Sequence, residues 1–133
     1  MTKIAIVGSS KLTPVEIDKA RNIIESIFNS HEPAQFITGD ARGIDSLVLS
    51  YSPTHDITMV KAIEHKWNGR YGFKTRNIRI AEEADYIYSI ATVKKNTPCY
   101  HCNIKDHERT GGCWTKKYAW NELGKKGQTI IIK

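Results

Sequence analysis

The amino-acid sequence predicts an α/β fold: a Rossmann-like parallel sheet of about five strands with helices on both faces. Two observations predict it. Short apolar runs rich in β-branched residues alternate along the chain with segments of helical periodicity. The runs are almost continuously apolar, as strands covered on both faces are. We expect the strand order 3-2-1-4-5, and a zinc-stapled loop before the last helix.

The first strand and helix have the clearest local signals. The run KIAIVGS (3–9) predicts a strand that ends in a turn. A helix is expected to begin at TPVE (13–16), because Thr13 can cap it, Pro14 suits the first helical position and Glu16 completes a capping box. Apolar residues at helical spacing predict one buried face, formed by Val15, Ile17, Ala20, Ile23, Ile24 and Ile27.

The rest of the chain continues the alternation. We expect strands over 34–39, 57–63, 85–92 and 129–133, and helices over 43–52, 73–83 and 114–123, with Gly124 as the cap of the last helix. The whole chain, 1–133, is expected to form a single domain. Its one irregular segment, about 93–113, precedes the last helix and is predicted to be a zinc-binding insertion.

The charge and composition limit the possible partners. The 133 residues include 20 Lys and Arg against 14 Asp and Glu, a net charge of +6. This excess favours nucleic acid or phosphate-bearing ligands, although a basic protein with no nucleic-acid role stays equally open. No apolar run approaches the roughly 20 residues that span a bilayer. The first strand ends in a Gly-Ser turn without a signal-cleavage pattern, so we expect a cytoplasmic protein with no membrane partner.

Three glycine-bearing turns are predicted to meet at the carboxyl edge of the sheet. They are VGSS (7–10), TGDARGID (38–45) and TGGCWT (110–115). Glycine lets a backbone approach closely and helix N-termini offer free N–H groups, so the turns could cradle a phosphate or carboxylate. Neither GxGxxG nor GxxxxGK[ST] occurs. The candidate ligand-binding residues are Gly8, Ser9, Ser10, Gly39, Asp40, Arg42, Gly43, Asp45, Arg76, Asn77, Gly111, Gly112 and Thr115.

Charged residues near these turns allow two interpretations each. Arg42 opens a predicted helix, where a cation opposes the helix dipole, so either a bound anion or a pair with Asp40 or Asp45 explains it. Asp45 could instead accept a hydrogen bond from a ribose hydroxyl or a base. Arg76 either binds phosphate or belongs with Arg79 to a solvated basic face.

Two aromatic residues follow the third predicted strand. Trp67 and Tyr71 lie in the loop EHKWNGRYG (64–72). They could stack on a base, or they could cover the edge of the sheet.

All three cysteines lie in the segment CYHCNIKDHERTGGCW (99–114). The spacing Cys99-x2-Cys102-x4-His107-x5-Cys113 supplies four ligands suited to tetrahedral zinc. It is similar to the retroviral zinc knuckle with one extra residue before the last cysteine. His101 is an alternative to His107, but it lies between two cysteines, which makes simultaneous ligation awkward. With four protein ligands the zinc would be structural.

The segments IAIVGSS, ITGDARGID, TRNIRIAEEADYI and TGGCWTKKYAWNELGKKGQTIII together resemble the SLOG superfamily. That group includes the DNA-processing protein A, LOG phosphoribohydrolase, molybdenum-cofactor carrier and small YspA-like families. The small YspA-like branch fits best by length and by Arg76 and Asn77. The resemblance implies a Rossmann-like sheet that binds nucleotides or nucleotide-derived ligands. Trp114 and Tyr118 stand where LOG enzymes carry a glycine and a catalytic glutamate, which leaves enzymatic activity open.

The function expected first is a cytosolic binding protein for a nucleotide or nucleotide-derived small ligand, acting as sensor, carrier or sequestering agent. A second hypothesis is a hydrolase or transferase that acts on a nucleoside or nucleotide N-glycosidic bond. A third is a single-stranded nucleic-acid-binding protein, which the positive charge and the knuckle-like segment favour. We also expect a homodimer or a larger homo-oligomer.

Overall fold

A computed structural model describes residues 2–62 and 73–133. Five parallel strands form one sheet in the order β3-β2-β1-β4-β5, which confirms the predicted fold class and strand order. The elements along the chain are β1 (Lys3–Gly8), α1 (Pro14–His31), β2 (Gln35–Gly39), α2 (Ile44–Leu49), β3 (Ile57–Val60), α3 (Phe73–Glu83), β4 (Tyr86–Thr92), α4 (Gly111–Leu123) and β5 (Lys126–Ile132). The loop predicted over 64–72, with Trp67 and Tyr71, lies outside the described residues.

The sheet has a hydrophobic core on each face, because side chains alternate along a strand. In β1, Ile4 and Ile6 pack with α1 and α2 on one face. Ala5 and Val7 pack with α3 and α4 on the other. Both faces of the central strand are therefore buried, as its continuous apolar run predicts. No helix in the described ranges has the length and apolar character needed to cross a bilayer.

Helix α1 begins as predicted but turns its buried face differently. The Thr13 hydroxyl accepts a hydrogen bond from the Glu16 N–H and the Glu16 carboxylate accepts one from the Thr13 N–H, which completes the capping box. Val15 was predicted in the core, but its side chain is 62% exposed. Val15 is the second residue of the helix. Phe28, which was not part of the predicted face, is buried near the other end of the helix.

Several element boundaries differ from the sequence predictions, and strand β3 ends at Val60, three residues before its predicted end. Helix α4 begins at Gly111 instead of 114, so the Gly-Gly pair forms its first turn. Helix α2 begins at Ile44 and is only six residues long. Strand β5 begins at Lys126, three residues before the predicted start, because hydrogen bonding with β4 extends past its apolar run. Pairing with β4, which a sequence pattern does not contain, sets the start of β5.

Candidate functional site

A pocket of about 200 Å³ lies at the carboxyl ends of the strands. The chain leaves β1 toward β2 on one side, and β4 lies on the other side of β1, so the strand order reverses there. In open parallel sheets this reversal opens the crevice in which ligands bind. Its walls come from the turn after β1, the turn after β2, helix α3 and the start of α4.

The turns after β1 and β2 lie directly against each other. The Ile44 N–H donates to the Ser9 carbonyl oxygen at 3.0 Å. Gly43 makes this possible: its φ is +74°, and a Cβ there would lie 2.3 Å from that oxygen. Side chains other than glycine rarely adopt such a φ. Gly43 therefore lets the two turns that line the pocket pack against each other.

Helix α4 closes the other side of the pocket with its N-terminus. The Thr110 hydroxyl caps the helix by accepting from the Cys113 N–H at 3.1 Å. A Cβ at Gly112 would lie 2.9 Å from the Ser89 Oγ and 3.1 Å from the Gly8 nitrogen, so only glycine lets the helix approach the sheet this closely. Free N–H groups and the positive end of the helix dipole consequently face the pocket.

A buried arginine occupies the centre of the site. Arg76 donates to the Asp40 Oδ1 at 3.0 Å and lies 3.7 Å from the Asp45 Oδ2. Its Nε and Nη2 donate to the Asn77 Oδ1 at 3.1 and 2.8 Å. Arg76 therefore does not lie on a solvated basic face. The ion pair that sequence reasoning considered for Arg42 is formed by Arg76 instead.

The pKa values of the two carboxyl groups beside Arg76 shift in opposite directions. Burial raises the pKa of Asp45 to about 6, although the Arg76 charge and hydrogen bonds from Ala41 and Thr38 oppose the shift. Burial also raises the pKa of Asp40, but hydrogen bonds from Arg76 and the Ala62 N–H, with the Arg76 charge, outweigh it and lower the pKa below its usual value. The pKa of the buried Asp45 carboxyl group is thus about 6, whereas the pKa of Asp40 is lowered.

The predicted ligand residues divide into two groups. Seven of them line the pocket: Gly8, Ser10, Asp45, Arg76, Asn77, Gly111 and Gly112. The others lie outside the lining: Ser9, Gly39, Asp40, Arg42, Gly43 and Thr115.

Each residue of the second group has another position in the fold. The Ser9 Oγ accepts from the Thr92 N–H at 3.0 Å, and the Thr115 hydroxyl donates to the Gly111 carbonyl oxygen at 2.8 Å. Gly39 is buried at the end of β2, and Arg42 is exposed on the turn that follows.

Five pocket residues were missing from the predicted ligand residues: Val7 and Ala41 in the predicted turns, and three residues before α4. Glu108, Arg109 and Thr110 line the pocket immediately before α4. The Glu108 Oε2 accepts from the Thr92 hydroxyl at 2.9 Å, which ties this wall to the end of β4. A threonine before a glycine pair could have been read as a helix cap. Glu108 and Arg109 gave no such signal, because their neighbours are distant in sequence.

The four predicted metal ligands converge beside the pocket. The Sγ atoms of Cys99, Cys102 and Cys113 and a ring nitrogen of His107 lie within 4.8 Å of one another. A tetrahedral zinc with bonds of about 2.0–2.3 Å holds its ligand atoms roughly 3.5 Å apart, so only a small contraction would be needed. His101 does not belong to this cluster. The quartet can hold a metal ion.

Hydrogen bonds around the cluster favour the forms of His107 and Cys102 that bind a metal cation. The His107 Nδ1 lies 2.8 Å from the Glu108 carbonyl oxygen, so Nδ1–H donates there and Nε2 keeps its lone pair. Burial raises the pKa of the Cys102 thiol, but hydrogen bonds that include those from the Ile104 N–H and Thr129 outweigh it and lower the pKa to about 7. A thiolate is the form that binds metals.

The metal cluster and the pocket share one stretch of chain. Val93 and His107 form an antiparallel bridge, and the Glu108 N–H donates to the Thr92 carbonyl oxygen at 2.8 Å. The Cys113 Sγ lies in the first turn of α4, 3.2 Å from the Ser89 Oγ. Residues 107–113 thus begin and end with a metal ligand and contribute one wall of the pocket between them.

The sheet and its edge pocket define a Rossmann-type fold. Among solved structures, the chain is similar to DNA processing protein A from Helicobacter pylori, which was described for its single-stranded DNA binding mode. The TM-score is 0.61 at 12% identity, and the match covers 96% of this chain and 64% of that protein. No family model and no curated protein matches the chain. The likeness establishes a fold like that of DNA processing protein A.

Proposed function

We propose that the protein binds a nucleotide-derived small ligand in the pocket between β1 and α4. The observation that carries the proposal is the pairing, in one pocket, of a helix N-terminus with two carboxylates, those of Asp45 and Glu108. The N-terminus of a helix attracts phosphate, and carboxylates accept hydrogen bonds from sugar hydroxyls. A sugar phosphate combines both groups.

The charges of the pocket favour a ligand with few phosphates. Arg109 is exposed on the pocket wall and can meet a phosphate beside the α4 N-terminus. Arg76 already faces Asp40 and Asp45, so its charge is largely neutralised. A monophosphate or phosphodiester matches one arginine and one helix end better than a triphosphate does.

Thermal unfolding with a panel of nucleotides, cyclic nucleotides and sugar phosphates tests the proposal. At least one member is expected to raise the melting temperature, since a ligand at 100 times its Kd stabilises a protein by about 2.7 kcal/mol. Arg109→Ala should weaken that ligand about tenfold or more, because a charge-assisted hydrogen bond contributes roughly 1.5–3 kcal/mol. Lys105→Ala, an exposed change in the same loop outside the lining, is the matched control.

A second variant separates the pocket from a general charge effect. Gly111→Val adds a side chain to the pocket wall, and among the described residues the Asn77 Nδ2 is the atom nearest to the added Cβ, at 3.4 Å. It should abolish the shift while leaving unfolding without ligand nearly unchanged. A panel with no active member, or a shift that survives Gly111→Val, would refute the proposal. Release of free base from an active member would favour the N-glycosidic hydrolase considered above.

Single-stranded nucleic acid is the second candidate. Two observations favour it: the net charge of +6 and the fold shared with a DNA processing protein A whose single-stranded DNA binding mode is known. Nucleic-acid binding would weaken steeply with salt, because bound lysines and arginines release counterions from the phosphates.

We propose that the metal is a structural zinc ion held by Cys99, Cys102, His107 and Cys113. The donor set supports it, since three sulfurs and one imidazole suit tetrahedral zinc. With all four positions filled by protein, no site stays open for a catalytic water. The zinc would hold the 93–113 segment against α4.

Membership of the SLOG superfamily is also a proposal. The glycine turns of the sequence and the fold shared with DNA processing protein A support it. The proposal includes one domain over 1–133 and a cytosolic homodimer or larger assembly. Native mass spectrometry of the purified protein measures the assembly directly.

A further inference from the structure

A second concave surface lies beside the metal cluster, whose ligand Cys102 is among its lining residues, and it shares no lining residue with the pocket. It encloses about 390 Å³ between the loop after Cys99 and the exposed side of α4. We name it the aromatic-basic groove, and its lining includes Tyr100, Asn103, Lys116, Lys117, Trp120 and Asn121. Nothing in the proposed pocket function uses these residues.

Two large aromatic side chains of the groove are open to solvent. Tyr100 is 68% exposed and Trp120 is 60% exposed. Most large aromatic residues of a folded chain bury their rings, because each ring removes a large apolar area from water. Two such rings beside one groove form an exposed apolar surface within the described part of the chain.

The cations of the groove lie on the same helix face as Trp120. Lys116 and Trp120 are four residues apart on α4, and so are Lys117 and Asn121, which places each pair on neighbouring turns. The Lys117 Nζ donates to the Tyr100 carbonyl oxygen at 3.3 Å and joins the helix to the loop. Arg109 lies over the Tyr100 ring, 5.8 Å from its centroid.

The charge of the groove selects its occupant. Its lining residues, all in the described ranges, include lysines and amides but no aspartate or glutamate. The nearest acid on α4, Glu122, lines the adjacent hollow with Trp114 and Tyr118. Exposed rings among cations match a partner that has flat apolar groups on an anionic backbone.

We propose that the aromatic-basic groove binds single-stranded nucleic acid. Bases stack on Tyr100 and Trp120, while phosphates face Lys116 and Lys117. The strand must be single, since a base reaches an aromatic ring face only when it leaves its own stack. The inference rests on the second candidate function and assigns it a surface distinct from the small-ligand pocket.

Fluorescence anisotropy with a labelled oligothymidylate tests the groove. The strand should be about 16 nucleotides, the upper end of common binding-site sizes. Trp120→Ala and Tyr100→Ala should each weaken binding about five- to a hundredfold, the usual range for loss of one stacked base. Tyr100→Phe keeps a ring and should keep most of the affinity.

Lysine variants test the phosphate contacts. Lys116→Ala should lower the slope of log affinity against log salt by about 0.7, the value for one lost contact to a single strand. Val15→Ala and Lys19→Ala, exposed changes on α1 on another surface, are the matched controls and should bind as the unchanged protein does. Zinc analysis of the Tyr100 variants establishes that the loop is intact.

Four results would overturn the assignment. They are no binding of the oligonucleotide, equal binding of a duplex, affinity unchanged in both aromatic variants, and a change of assembly size in Trp120→Ala with normal affinity. The last would assign the groove to a second copy of this chain. Gly111→Val should bind the strand normally. If Gly111→Val is the only variant that loses strand binding, the strand lies in the pocket. If no member of the nucleotide panel binds, the small-ligand proposal fails, but the proposal for the groove does not.

Discussion

At the residue scale, the environment of Asp45 depends on a partner far away in sequence. Arg42 is three residues from Asp45, but the guanidinium beside the carboxylate belongs to Arg76 on α3. The sequence could identify Asp45 as unusual, since a carboxyl group follows a glycine turn there. It could not identify the partner, because that depends on how α3 packs against β2.

The raised pKa of Asp45 leads to a prediction about stability and pH. The folded pKa of about 6 lies above the ordinary value of 3.8, so the folded protein holds the proton more tightly than the unfolded chain. This contribution is fully present below about pH 3.8 and is lost as the pH rises through about 6. Relative to the natural chain, Asp45→Asn should therefore gain free energy of unfolding as the pH rises from about 4 to 6. Urea denaturation at a series of pH values measures it.

Asp40→Asn is the control for this experiment, because the pKa of Asp40 is lowered. Its contribution is present above the unfolded pKa and is lost as the pH falls through the lowered folded value. Relative to the natural chain, Asp40→Asn should therefore lose free energy of unfolding as the pH rises, and this change should occur at lower pH than the change for Asp45→Asn. Parallel pH profiles for the two variants would contradict the assignment of the two shifts.

At the element scale, α4 matters most because its N-terminal end contributes residues to both the pocket and the metal cluster. Its cap, Thr110, lines the pocket, and its third residue, Cys113, belongs to the metal cluster. The sequence prediction began this helix at 114, after the glycine pair. Glycine is a poor helix former, and the helix includes Gly111 and Gly112 because Gly112 must fit against β1 and β4.

Two capping threonines provide a matched pair of variants. Thr13→Ala and Thr110→Ala each remove a side-chain cap, so each should lower the free energy of unfolding by about 1 kcal/mol. Only Thr110→Ala should also weaken zinc retention, because its hydroxyl accepts from the Cys113 N–H. Urea denaturation and zinc release to a chelator measure the two effects. Equal zinc retention in both variants would contradict a role for this cap in holding the cluster.

At the scale of the whole molecule, the predictable features were those encoded locally. The parallel sheet followed from apolar runs that alternate with helical segments, and the metal quartet followed from the spacing of four ligand residues within one segment. The pocket was only partly predictable. Its turns contain glycine signals, but the burial of Arg76 and the part played by Glu108 and Arg109 arise from packing between distant segments.

Removing a zinc ligand should loosen the 93–113 segment. Cys102→Ala and His107→Ala should lower the zinc content from about one ion per chain and make the segment sensitive to protease, since the loop loses the crosslink that orders it. His101→Ala is the matched control, because His101 lies outside the cluster, and it should retain zinc. Elemental analysis and limited proteolysis measure both effects. If the protein is purified without any chelator and still contains no zinc, the metal assignment is refuted.

The pairing of Arg76 with Asp40 and Asp45 has a consequence for the kinetics of binding. With Glu108 added, carboxylates outnumber guanidinium groups around the pocket, whereas the aromatic-basic groove has two lysines and no acid among its described lining residues. Charge complementarity accelerates diffusional encounter, and salt screens that acceleration. A small ligand should therefore enter the pocket at a rate that ionic strength hardly changes, while a nucleic-acid strand should reach the groove faster as salt is diluted. The same protein would then meet its two kinds of partner in two different kinetic regimes.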